Sequence, residues 1–213
     1  ELTSVKEGQG LLVVSNHPRG LLDMFMVGGW LQQRLKRPIR FVVNRLIGES
    51  FPTLNEHIIG VDNMSRRGPA RRDFNRTALL GAVEWLKKGG VVYVFPAGQV
   101  ASWRVYSPEG WFRRTDHRWH PTFVRLAREA GVSIQILHLS GQNRFRYRLA
   151  RLFGLVFGRL MNFREFVAGV DAQTCVTVAG WVGVEEINQQ TDAEISRLCR
   201  DRVFSSVAHT VSL

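Results

Sequence analysis

The chain has 213 residues, 45% of them hydrophobic, and its 29 Lys and Arg against 18 Asp and Glu give a net charge of +11. That size and apolar share suit one globular domain over residues 1–213, able to bury roughly 70% of its unfolded surface with no metal or disulfide staple. The longest apolar runs fall short of the roughly 18 residues a spanning helix needs, and the polar start ELTSVKEGQG has no signal-peptide pattern.

LLVVS (Leu11 to Ser15) reads as a buried strand, and LLDMFMVGGWLQQRL as a helix with one broad apolar stripe. IRFVVN (Ile39 to Asn44) is a second strand and HIIGVD (His57 to Asp62) a short third, followed by the basic loop NMSRRGPARR. The next helix starts near Pro69, a residue suited to a first helical turn, and stops at Gly89-Gly90. VVYVF (Val91 to Phe95) is an all-apolar strand ended by Pro96-Ala97-Gly98, and a loop rich in Arg, Trp and Gly runs on to His120. Pro121 to Ala130 reads as a short helix closed by Gly131, and VSIQILHL as a further strand. Such β-α alternation with nearly continuous apolar strands predicts an α/β fold whose mostly parallel central sheet is covered by helices on both faces.

RFRYRLARLFGLVFGRLMNFRE is different in kind. Leu149, Leu152, Phe153, Val156, Leu160 and Met161 recur at helical spacing beside a basic edge of Arg144, Arg148, Arg151 and Arg159. Two readings fit: a helix lying in a membrane interface, or one packed on the sheet with a solvated Arg face. Gly154 and Gly158 form a weak GxxxG signal. TCVTVAGW is the last strand, and Thr191 to Glu194 a capping box opening a terminal helix that turns Ile195, Leu198 and Val203 inward. Cys175 and Cys199 make no CxxC set and are expected as buried thiols in a reducing compartment. Residue 1 is Glu rather than Met, which fits a missing N-terminal piece.

The basic balance, with a pI near 10.9, favours a polyanionic partner: nucleic acid, anionic lipid or an acidic carrier protein. The sequence contains no P-loop, HExxH, GxSxG, dinucleotide fingerprint or zinc spacing. What remains at the predicted strand ends is NHPRGLLD after the first strand and FPAGQ after the fourth, where open α/β sheets gather their chemistry. A His takes a proton near neutral pH, and a carboxylate on its other ring nitrogen holds the tautomer and stabilises the imidazolium. His17 and Asp23 are not stacked on one face of a continuous helix, so they meet only if the chain turns at Gly20; otherwise His17 is structural. No Ser or Cys accompanies them, so a nucleophile would come from the substrate.

Asn16-His17-Pro18-Arg19-Gly20-Leu21-Leu22-Asp23 resembles the first motif of the glycerolipid acyltransferases, with five residues between His and Asp where four are usual. That spacing resembles the hemolysin-like branch, which includes the N-acyltransferases of ornithine and glycine lipids. Phe95-Pro96-Ala97-Gly98-Gln99-Val100-Ala101-Ser102 is similar to the third motif, and Trp119 to Asn143 to the fourth-motif region, so the resemblance spans roughly Leu11 to Val184.

The resemblance implies His17 as general base and Asp23 as its orienting partner. The acceptor amine or hydroxyl then attacks a thioester of acyl carrier protein or coenzyme A directly, with no cofactor and no metal. It also implies substrate-binding roles for Asn16, Arg19, Gly20, Phe95, Pro96, Ala97, Gly98 and Gln99, and, through a loosely matched second motif, for Asp62 and Arg66. Asn63 stands where that motif has Arg, and Arg66 and Arg67 are either phosphate contacts or a solvated basic loop. Ala97 replaces the Glu of the broad family, which weakens a glycerol-phosphate acceptor; Gln99 replaces the Glu of the branch, losing a charge suited to an ammonium. The expected protein is an acyltransferase of lipid biosynthesis, peripheral on the cytoplasmic face of the inner membrane. A catalytically reduced lipid- or acyl-binding protein is the alternative. Nucleic-acid binding, suggested by the charge and the Arg and aromatic residues of Trp103 to Trp119, has no recognised motif beside it.

Overall fold

The computed structural model describes residues 8–66, 68–99, 118–140 and 175–208, and between them the short strand pieces 102–103, 106–107, 110–111 and 114–115. Its centre is a six-stranded sheet formed by β1 (Leu11–Ser15), β2 (Ile39–Asn44), β3 (Ile58–Val61), β4 (Val91–Val94), β5 (Ile134–Leu139) and β6 (Val176–Val182), in the order β6-β5-β1-β4-β2-β3. Five strands run parallel and β6 returns antiparallel to β5. The α/β expectation therefore holds, with an antiparallel edge.

The helices divide between the two faces. Helix α1 (Leu21–Leu35) buries Met24, Val27 and Leu31 against Leu11, Val13, Val91, Tyr93, Leu137 and Leu139. The opposite face carries α3 (Pro69–Lys87), α4 (Thr122–Ala130), α5 (Val184–Gln189) and α6 (Asp192–Ala208), with Leu86, Phe123, Ile195 and Val203 packed on Leu12, Val14, Val92 and Ile136. Alternate residues of one strand thus serve two cores, which is why β1 is apolar and buried at every position before Ser15.

Local signals set most boundaries. Pro69 opens α3 and Gly131, at φ 66°, closes α4. Thr191 and Glu194 form the expected capping box: the Glu194 carboxylate accepts from the Thr191 amide at 2.8 Å and from its hydroxyl at 2.6 Å. Leu198 is half-buried, whereas Ile195 and Val203 are fully buried.

Several expectations need correction. The third strand is Ile58–Val61, shorter than His57 to Asp62, because a 3₁₀ helix takes up Pro52–His57 and Asp62 turns the chain away. A six-residue helix, α2 (Arg45–Ser50), was not foreseen; the Asn44 side chain caps it by accepting from the Leu46 amide. Cys199 is buried, its thiol pushed up to about 12 by burial, but Cys175 is exposed because it precedes the pairing of β6. The stretch expected as a loop before His120 contains two short antiparallel ladders. The basic, apolar helix expected over 144–165 lies outside the described residues.

Candidate active site

The site begins with strand pairing. Parallel β1 and β4 are neighbours, with Val13 beside Tyr93 and Val14 beside Val94, so the chain after Ser15 and the chain after Val94 leave the sheet side by side at its carboxyl edge. Leu11, Val13, Val91, Tyr93 and Phe95 share the face packed on α1. His17 arrives at the same place, and its ring stacks on that of Phe95 at 4.0 Å between centroids and 27° between planes.

Asp23 reaches His17 because Gly20 turns the chain. Gly20 has φ 80° and ψ −133°, a conformation that L side chains avoid, and it is the N-cap of α1. The turn places Asp23 in the first helical turn, where Oδ2 accepts from the amides of Arg19 at 2.7 Å and Gly20 at 3.0 Å. The same oxygen lies 3.0 Å from His17 Nδ1. That nitrogen is at ion-pair distance but off the line of an N–H···O bond, and Asp23 Oδ1 is buried with no hydrogen-bond partner. Asp23 is fully buried whereas the His17 side chain keeps 15% exposure, so solvent reaches the imidazole and not the carboxylate.

Three further residues brace the end of β1. Asn16 uses its side-chain amide as an extra ladder rung, donating to Leu139 O at 2.9 Å and accepting from Leu139 N at 2.8 Å. With both polar groups held by β5, Asn16 fixes the strand end from which His17 projects. Beneath lies a pair that the sequence reading missed: Tyr93 Oη donates to Ser15 Oγ at 2.6 Å, and Ser15 Oγ donates to Asn16 O at 2.7 Å. Burial, and after it the charge of Asp23, pushes the Tyr93 phenol up, so it stays a neutral donor. The available signal was a lone polar residue in each of two otherwise apolar strands.

The β4 turn divides its residues between core and surface. Phe95, Pro96 and Ala97 are buried, whereas Gly98 and Gln99 are exposed. Ala97 packs in the cluster that holds Trp119, so its side chain is turned into the core. Gly98 adopts φ 62°, and an added Cβ would meet nothing within 4 Å: the left-handed turn requires glycine, and the space beside it is open.

The second-motif loop closes on this turn, with Asn63 Nδ2 donating to Gly98 O at 3.3 Å and Asn63 Oδ1 accepting from Asn44. Asp62 accepts from the Ser65 hydroxyl and from the amides of Ser65 and Met64, and these bonds, helped by Arg45, hold it far below the usual carboxylate range. Asp62 therefore organises the loop, while Arg66 stands exposed beyond it. Arg19 is half-buried beside Gly20.

Among the described residues no group of three His, Cys, Asp or Glu is placed to hold a metal ion, and no helix is long and apolar enough to cross a membrane. Trp119, from the stretch considered for nucleic acid, is buried at 4% exposure against Phe123 and presents no stacking surface.

Comparison of the sequence with curated proteins finds no match. The model of the Acyltransferase family matches residues 1–138, which include His17, Asp23, the Asp62 loop and the Phe95 turn. The chain belongs to the Acyltransferase family, and its chemistry is acyl transfer.

Proposed function

We propose that the enzyme moves a fatty acyl group from a thioester of acyl carrier protein or coenzyme A to a small amine, of the ornithine- or glycine-lipid type, or to a lysolipid, at the cytoplasmic face of the inner membrane. The observation that carries this reading is the His17 imidazole, 15% exposed and set between buried Asp23 and the Phe95 ring at the carboxyl edge of the sheet.

In the proposed reaction the acceptor nitrogen or oxygen attacks the thioester carbonyl carbon and gives its proton to His17 Nε2. Asp23 stabilises the imidazolium through Nδ1. When the carbon–sulfur bond breaks, the departing thiolate recovers the proton from His17. The acyl group passes to the acceptor in one displacement, and no acyl-enzyme forms. Gly98 and Gln99, the exposed end of the β4 turn, line the acceptor side, and Arg19 and Arg66 offer positive charge to a headgroup. The spacing of His17 and Asp23 and the Phe-Pro-Ala-Gly turn support the hemolysin-like branch.

The test is incubation with labelled acyl carrier protein and a panel of amino acids and lysolipids, with the product identified by mass. His17→Ala is expected to abolish transfer with the fold intact by circular dichroism. Asp23→Asn is expected to lower kcat about a hundredfold to ten-thousandfold. Wild-type turnover in His17→Ala overturns the assignment. Gln99→Glu is expected to shift the preference toward acceptors that carry an ammonium.

A further inference from the structure

We propose that Tyr93, acting with Ser15, is a positioning residue for acyl transfer: it fixes the peptide that carries His17 and the ring on which the imidazole lies, without touching substrate. The parallel register sets Tyr93 beside Val13, on the face packed on α1, and strand alternation puts Ser15 on that same face. The phenol therefore reaches two places further along β1. Tyr93 Oη donates to Ser15 Oγ at 2.6 Å, Ser15 Oγ donates to Asn16 O at 2.7 Å, and both side chains are fully buried.

This relay runs in one direction only. Asn16 O can only accept, so the single Ser15 proton goes to it and Ser15 Oγ is left to accept from Tyr93. The phenol keeps the proton it donates, because it is buried and the charge of Asp23 opposes its loss. An apolar pair, Phe at 93 and Ala at 15, would fill this core with no polar group to satisfy, so packing gives no reason for the two hydroxyls. What they add is orientation. A peptide unit is planar, and holding the Asn16 oxygen also holds the His17 amide and the direction of its Cα.

Two strands thus grip the residue before His17. β5 holds the Asn16 side chain through Leu139 N and O, and β4 holds Asn16 O through Tyr93 and Ser15. The Tyr93 ring acts on the imidazole itself. Its centroid is 5.0 Å from that of Phe95, whose ring stacks on His17 at 4.0 Å, and Phe41 of β2 backs it at 5.1 Å. Any turn of the Asn16 peptide or tilt of this stack changes the 3.0 Å separation between His17 Nδ1 and Asp23 Oδ2. The assignment rests on the reading of His17 as the base given under Proposed function.

The experiment compares Ser15→Ala with the double variant Ser15→Ala, Tyr93→Phe, by thermal unfolding and by kinetics with labelled acyl carrier protein and the panel of amino acids and lysolipids. Ser15→Ala strands the buried phenol and is expected to lower the thermal midpoint by roughly 4–8 °C and kcat about tenfold to a hundredfold, with the donor KM held within about twofold. Adding Tyr93→Phe removes the stranded hydroxyl, so the midpoint is expected to recover while kcat stays low. Thr191→Ala, destabilised away from the site, is expected to keep wild-type kcat. A second readout needs no substrate: the His17 imidazole signals in the NMR spectrum of histidine-labelled protein, identified by their loss in His17→Ala. They are expected upfield in wild type, shifted by the Phe95 ring, and to lose that shift in the double variant. Recovery of kcat together with the midpoint, or an unmoved His17 signal, reduces the hydroxyls to packing and overturns the proposal. An inactive His17→Ala beside a fully active double variant overturns the positioning role alone, whereas wild-type turnover in His17→Ala overturns the proposed reaction and this assignment with it.

Discussion

At the residue scale the site depends on few positions, and their reasons differ. Gly20 supplies a backbone conformation, φ 80° with ψ −133°, that no other residue takes cheaply. Gly20→Ala is expected to cost about 1–3 kcal/mol in urea unfolding and to lower acyl transfer by more than that loss explains, because the turn also sets the His17–Asp23 separation. Asp62 supplies charge and acceptors. An ordinary carboxylate titrates near 3.8, and Asp62 is held well below that by the Ser65 hydroxyl and the loop amides. Its contribution to stability is therefore fully present above the ordinary value and lost as pH falls through the lowered one. Asp62→Asn is expected to be less stable at neutral pH and to show a flatter decline below about pH 4, read from urea midpoints across pH. His17, Gly20 and Asp23 were legible because unusual residue types stood at a strand end. Ser15 and Tyr93 were not, since a hydroxyl inside an apolar strand shows a polar atom without showing its partner. Asn16 was expected at the substrate, but both polar groups of its side chain are held by Leu139.

At the scale of elements, apolar periodicity and end signals located most of the described strands and helices, as at Pro69, Gly131 and Thr191. The cap at Thr191 is a local device and is tested locally: Thr191→Ala removes the hydroxyl that donates to Glu194 and accepts from its amide at 3.3 Å. A loss of about 0.5–1 kcal/mol, the low end for exposed caps, is expected in chemical denaturation, with acyl transfer unchanged. Helix α2 escaped the sequence reading because six residues are too few to show a helical period. Its place is fixed by packing: at Gly48 an added Cβ would come within 2.4 Å of Asn55 Oδ1 and 2.8 Å of Ile58. A larger residue at Gly48 would have to displace the ends of the Asn55 and Ile58 side chains, a contact invisible without the neighbouring segments.

At the scale of the whole molecule, strand order decides both stability and function. β1 and β4 are bonded on both sides and almost fully buried, while β3 and β6 are edges. Hydrogen exchange is expected to be slowest at the amides of Val13, Val92 and Tyr93 and fastest along β3, with protection rising from edges to centre; uniform protection across the strands would contradict that gradient. Composition determined that the chain is basic and large enough for one core, and periodicity determined an α/β sheet covered on both faces. The spacing of His17, Gly20 and Asp23 determined that a turn is needed if the pair is to meet. These are local properties, fixed by residue type and near neighbours along the chain. Only the tertiary structure decided that β4 inserts between β1 and β2. That insertion brings Phe95 onto His17 and seats Tyr93 beneath Ser15. The physical reason is that parallel pairing joins segments far apart in sequence, and no residue pattern within either segment encodes which strand will lie beside it.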